Sequence, residues 1–148
     1  MLKRFFIFWI CSLSLACTTN KEEQFYKDME TYFRSKHNYN IADNDVIFAL
    51  TSNGCRGCNV MLSDYMLSNT YPAVYLISAS SNSLDLSEYK KRKGNIFMDW
   101  SNDKKLSALF DKSKVIFIKN KQIDTIVQIE AKTLEQTISY IKEQVEHQ

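Results

Sequence analysis

Apolar residues change their spacing several times along the chain, and each change predicts an element. Phe25, Met29, Tyr32 and Phe33, followed by Lys36, recur at helical spacing and predict an amphipathic helix over about Lys21–Lys36. Its aromatic stripe reads as a face packed on the domain rather than as a partner surface. Val46-Ile47-Phe48-Ala49-Leu50 is an unbroken apolar run, the pattern of a strand buried on both faces. Thr51-Ser52-Asn53-Gly54 ends it with turn and cap residues. Helical spacing then returns with Cys58, Met61, Leu62, Tyr65 and Met66 on one face, until Asn69-Thr70-Tyr71-Pro72. Ala73–Ile77 predicts a second strand, Leu84–Lys93 a short helix stopped by Gly94, Ile96–Met98 a short strand and Lys104–Phe110 a helix.

Val115–Ile118 and Ile123–Ile129 are strands joined through Lys119-Asn120-Lys121-Gln122, a predicted β-hairpin. Thr133 and Gln136 have capping-box spacing before a last helix that points Leu134, Ile138, Ile141 and Val145 at the core. Strands alternating with helices predict an α/β sandwich with a mixed sheet.

The first residues follow a different rule. Lys3 and Arg4 form a positive start, and Phe5–Leu15 is apolar but shorter than the roughly 20 residues that span a bilayer. The stretch ends Leu13-Ser14-Leu15-Ala16-Cys17, which resembles the bacterial lipobox, with Ser14 where that pattern usually has Leu. The resemblance implies a signal peptide over residues 1–16, lipid on Cys17, and a tether plus helix over 17–44 leading to a domain over 45–148. It also implies a lipid-anchored protein of the cell envelope. Thr18 after Cys17 resembles lipoproteins sorted to an outer membrane, facing the periplasm.

The formal charge of +2 comes from Lys3 and Arg4; without them basic and acidic residues balance at 17 each. No basic field remains to attract nucleic acid. The cluster Lys90-Lys91-Arg92-Lys93 reads as the cationic last turn of a helix rather than a headgroup site.

Of four cysteines, Cys11 would leave with the signal and Cys17 would carry lipid, so Cys55 and Cys58 remain as thiols. Export would place them in an oxidising compartment. Cys55-Arg56-Gly57-Cys58 sits where a buried strand turns into a helix. A thiolate there faces free N–H groups and the positive end of the helix dipole, both of which lower its pKa from about 8.5. Cys55, at the exposed first turn, is therefore the expected attacking sulfur. Cys58, which begins the buried stripe, is the expected resolving sulfur. Gly57 is expected to leave room for the tight turn and for a substrate backbone, and Arg56 to add positive potential.

Other uses of the pair have weaker support. Zinc needs four ligands, and His37 and His147 lie at opposite ends of the chain. Covalent haem needs His where Asn59 stands. A permanently closed structural disulfide and a Cu(I) site of two thiolates remain open beside redox exchange. Redox exchange itself calls for no metal and no cofactor.

The order of elements around this motif resembles the thioredoxin-like superfamily, in particular its TlpA-type and redoxin branch. The residues that carry the likeness are the strand Val46–Leu50, Cys55–Cys58 opening a helix, the strand Ala73–Ile77, the inserted stretch Leu86–Asp99, and the hairpin Val115–Ile129 with the final helix. The resemblance implies a three-layer sandwich with a central mixed β-sheet flanked by helices. It implies thiol–disulfide oxidoreductase activity toward a protein thiol or disulfide, with a separate redox partner. Gly54 stands where that family usually has an aromatic residue, and Ser113 where it usually has a cis-proline shaping the substrate loop. Gly54, Arg56, Gly57 and Ser113 are therefore the expected substrate-contacting positions. The first strand has no acidic residue, so the buried proton acceptor of thioredoxin itself has no counterpart there.

Overall fold

The computed structural model describes residues 21–51, 55–68, 74–78, 87, 91, 95–99 and 104–146. Expectations for residues 1–20, Cys17 included, lie outside them, as do Gly54, Val145 as a side chain, and most of the helix expected over Leu84–Lys93.

The elements run α1 (Lys21–His37), β1 (Val46–Thr51), α2 (Arg56–Ser68), β2 (Val74–Ser78), β3 (Ile96–Asp99), α3 (Lys104–Leu109), β4 (Lys114–Lys119), β5 (Gln122–Gln128) and α4 (Leu134–Glu146). The architecture is mixed α/β. The five strands form one sheet in the order β3-β2-β1-β4-β5. β1, β2 and β3 are parallel, while β1–β4 and β4–β5 are antiparallel.

β1 lies at the centre and all six of its residues are buried. Its side chains alternate between two cores, as strand geometry requires. Val46, Phe48 and Leu50 join Cys58 and Leu62 of α2 and Leu134 and Ile141 of α4. Ile47 and Ala49 join Met29, Tyr32 and Phe33 of α1 and Phe110 after α3. Helices therefore cover both faces of the sheet.

Local chemistry accounts for the element ends. Asn38 adopts a left-handed φ of 51° after α1, and the Tyr39 N–H closes back on the Phe33 carbonyl at 3.2 Å. Asn and Asp tolerate this region better than other non-glycine residues. In the β4–β5 turn, Asn120 and Lys121 both have positive φ, 54° and 55°, the signature of a two-residue type I′ hairpin. A bulge between Phe117 and Ile118 leaves Asp124 without an opposite residue. That shift lets Ile123 pack with the α1-side core and Val127 with the α2-side core.

Two expectations about α2 need correction. Met61 is 52% exposed rather than part of the buried stripe, and the buried positions include the polar Asn59 and Ser63. Residues 58 and 62, together with 59 and 63, define the inward face by their four-residue spacing. The choice of apolar residues alone rotated that face by one position.

On the α1 side, His37 stacks on Phe97 with ring centroids 4.6 Å apart, and the Tyr32 hydroxyl donates to the Asp99 carboxylate, joining α1 to β3. Burial lowers the His37 pKa below 6.5, against the opposing attraction of Asp99 and with a smaller push from Lys36. Its Nε2 has no partner among the described residues. A depressed folded-state pKa means that the unfolded chain takes up the proton first as pH falls. Stability is accordingly expected to decline as pH drops below 6.5 and through the folded-state value. In His37→Phe this part of the pH dependence disappears, which denaturant midpoints between pH 4 and 8 measure.

Candidate functional site

β1 delivers the chain to the start of α2, and that junction holds the cysteines. Cys55 and Cys58 are joined in a disulfide with Cα atoms 5.2 Å apart. The two sulfurs differ in access: Cys58 is 2% exposed and belongs to the α2-side core, while Cys55 is half-buried at its edge. The Cys58 N–H points at Cys55 Sγ at 3.3 Å, and the Asn59 N–H bonds to the Cys55 carbonyl at 2.9 Å. Cys55 thus occupies the cap of α2, and its sulfur lies against a donor that the helix itself leaves unpaired.

Arg56 and Gly57 are exposed on the first turn. A Cβ placed on Gly57 would meet nothing within 4 Å, and its φ is not in the left-handed region. The turn therefore does not require glycine, which corrects that part of the expectation. What the missing side chain leaves is open surface beside Cys55. Val60 and Met61, 38% and 52% exposed, continue that surface one turn further along α2.

Ser113 lies in the interior rather than at the surface, which corrects its expected contact with substrate. It is fully buried, and no described peptide bond is cis. The β1–β4 register runs from Val46↔Phe117 to Ala49↔Lys114, so Thr51 would next oppose residue 112, where β4 has not yet begun. The Ser113 side chain fills that gap. The Thr51 N–H donates to Ser113 Oγ at 2.9 Å, and the Ser113 hydroxyl faces the Thr51 carbonyl at 3.4 Å. The Ser113 carbonyl accepts from the Ile129 N–H at 3.0 Å, tying the same residue to the end of β5.

Asn59 was not among the residues singled out from the sequence. It is 3% exposed, and its Nδ2 donates to the Thr51 carbonyl at 2.9 Å. Its only sequence signal was a polar residue on the inward side of a helix, four positions before Ser63.

Grooves of about 340 and 320 Å3 lie on the α1 side, one against the hairpin turn at Lys121–Ile123 and one against α3 at Ala108 and Leu109. Among the described residues no group of three or more His, Cys, Asp or Glu is placed to hold a metal ion, and no helix is long and apolar enough to cross a membrane. No family model, curated protein or solved structure matches the chain.

Two substitutions separate the packing roles from the surface roles. Ser113→Ala strands a buried N–H and is expected to cost about 1–3 kcal/mol, measured by denaturant unfolding of the oxidised chain. Gly57→Ala is expected to leave stability unchanged or raise it by up to about 1 kcal/mol, because alanine is the better helix former and has room. A loss of stability in Gly57→Ala would show that the first turn is more crowded than its geometry indicates.

Proposed function

We propose that the chain is a thiol–disulfide oxidoreductase of the cell envelope with a thioredoxin-like arrangement, tethered through lipid on Cys17 at the outer membrane and facing the periplasm. The observation that carries the reading is the asymmetry of the sulfur pair. Cys55 is half-buried at the edge of the core and its Sγ faces a helix N–H, while Cys58 is enclosed in that core. The strand order, with a central parallel strand feeding the helix that bears the cysteines, supports the fold part of the reading.

The chemistry follows from that asymmetry. In the reduced chain, the Cys55 thiolate attacks one sulfur of a substrate disulfide. The substrate S–S bond breaks, a Cys55–substrate bond forms, and the second substrate sulfur leaves as a thiolate that takes a proton from water. Cys58 then loses its proton and attacks Cys55 Sγ. The mixed bond breaks, the Cys55–Cys58 bond forms, and the first substrate sulfur leaves. Two electrons pass from the chain to the substrate. Run in reverse, the oxidised form accepts two electrons from a substrate dithiol, whose first thiolate attacks the accessible Cys55 Sγ. Either way the substrate is a protein thiol or disulfide. It approaches over the first turn of α2, where Gly57 presents no side chain and Arg56 is exposed.

The full chain, equilibrated in glutathione redox buffers, is expected to titrate as one two-electron couple. Cys58→Ser is expected to accumulate a substrate mixed disulfide through Cys55, seen on non-reducing gels and lost with reductant. A bridge that resists mild reductant, together with a reduced Cys55 that alkylates no faster than an ordinary thiol of pKa about 8.5, would assign the disulfide to structure instead. Stoichiometric Cu(I) uptake by the reduced chain, abolished by either Cys→Ser change, would assign the pair to metal carriage.

A further inference from the structure

The buried polar groups at the end of β1 point to a role that the fold alone does not require. Two side chains from different elements converge on the backbone of one residue, Thr51: Ser113, just before β4, and Asn59, on α2. Both are almost fully buried beside an apolar core, where polar groups are costly unless satisfied. Neither the Thr51 hydroxyl nor Asn59 Oδ1 has a partner among the described residues. The amide satisfies the Thr51 carbonyl, which otherwise has only the 3.4 Å contact to Ser113, while its own Oδ1 stays unpaired among the described residues. What the amide does provide is a link. Asn59 lies on the same helical turn as both cysteines, its own N–H holds the Cys55 carbonyl, and its side chain grips the residue at which β1 leaves the sheet.

We propose that Asn59 is a positioning residue for the redox pair, a proposal that rests on the oxidoreductase reading. By fastening the start of α2 to Thr51, it fixes where Cys55 sits relative to the Cys58 N–H. That 3.3 Å contact favours the thiolate only while the cap geometry holds. Ser113 immobilises the other side of Thr51, so Asn59 has a rigid anchor to pull against. With the amide removed, the disulfide can still form, because the two cysteines remain three residues apart. The Cys55 sulfur then loses its fixed donor, and a larger share of it is protonated near neutral pH.

The test is the pH profile of Cys55 alkylation by iodoacetamide in the reduced full chain, read by mass spectrometry of the Cys55 peptide. Wild type, Asn59→Ala and the uncharged, nearly isosteric Asn59→Leu are compared with Ile141→Val, which trims the same core away from the clamp. At a pH below the thiol pKa, both Asn59 variants are expected to react about tenfold more slowly than wild type, with the midpoint of the profile displaced upward. Ile141→Val is expected to keep the wild-type profile. Asn59→Leu fills the buried volume without adding a charge, so a folding failure of Asn59→Ala leaves the measurement intact. If both Asn59 variants follow the wild-type profile while wild-type Cys55 is fast, the positioning role is overturned and the oxidoreductase reading stands. If wild-type Cys55 is itself slow, both fall together.

Discussion

The structure depends on one strand being buried on both faces. β1 has two sheet neighbours and two cores, and all six of its residues are buried. Its four large side chains, Val46, Ile47, Phe48 and Leu50, each contribute about 1.5–3 kcal/mol by leaving water. Because they alternate, the same strand organises α2 and α4 on one side and α1 on the other. A register slip of one residue would exchange the two sets, so the pairing with β2 and β4 is held tightly. This rigidity reaches Thr51, which is paired with Ser78 on one side and clamped by Ser113 on the other. The segment carrying Cys55 therefore leaves from a fixed point.

The two faces then divide the polar work between them. On the α1 side, polar groups hold elements together: the buried Tyr32 bonds the buried Asp99, and the half-buried Asp45 takes both the Tyr39 hydroxyl and the Ala42 N–H in the turn that feeds β1. Desolvation raises the Tyr39 pKa well above its ordinary value, with further pushes from Asp45, so the phenol stays a donor. On the α2 side, Thr51, Asn59 and Ser113 meet at the end of β1, and two of them keep an atom unpaired among the described residues, as His37 Nε2 does on the other face.

Much of this was legible in the sequence, for physical reasons. A strand buried on both faces leaves an uninterrupted apolar run, and Val46–Leu50 shows it. A type I′ turn needs residues that accept positive φ, and Asn120 supplies one. The element order and the Cys55–Cys58 position follow from such local signals. Three features did not. The inward face of α2 was misassigned because Met61 is apolar but exposed, while Asn59 and Ser63 are polar but buried. The role of Ser113 depends on where β4 stops short of Thr51, a tertiary fact with no local trace. Gly57 looked like a backbone necessity, and only the open space around it shows otherwise.

The size of the loop closed by the disulfide bears on what it is for. A bridge across three residues removes little chain entropy, about 2 kcal/mol on the loop-closure model, and less where a helix already restrains the segment. β1 alone stabilises the domain by several times that amount. The α2 turn is already held by the Asn59 N–H on the Cys55 carbonyl and by the Thr51 clamp. On that model the bond adds no more than about 2 kcal/mol, less than β1 contributes alone. Under the proposed oxidoreductase reading, the couple is poised by its local environment: the donor on Cys55, the enclosure of Cys58 and the Asn59–Thr51 link. That environment treats the two sulfurs differently, as directional exchange with a partner requires.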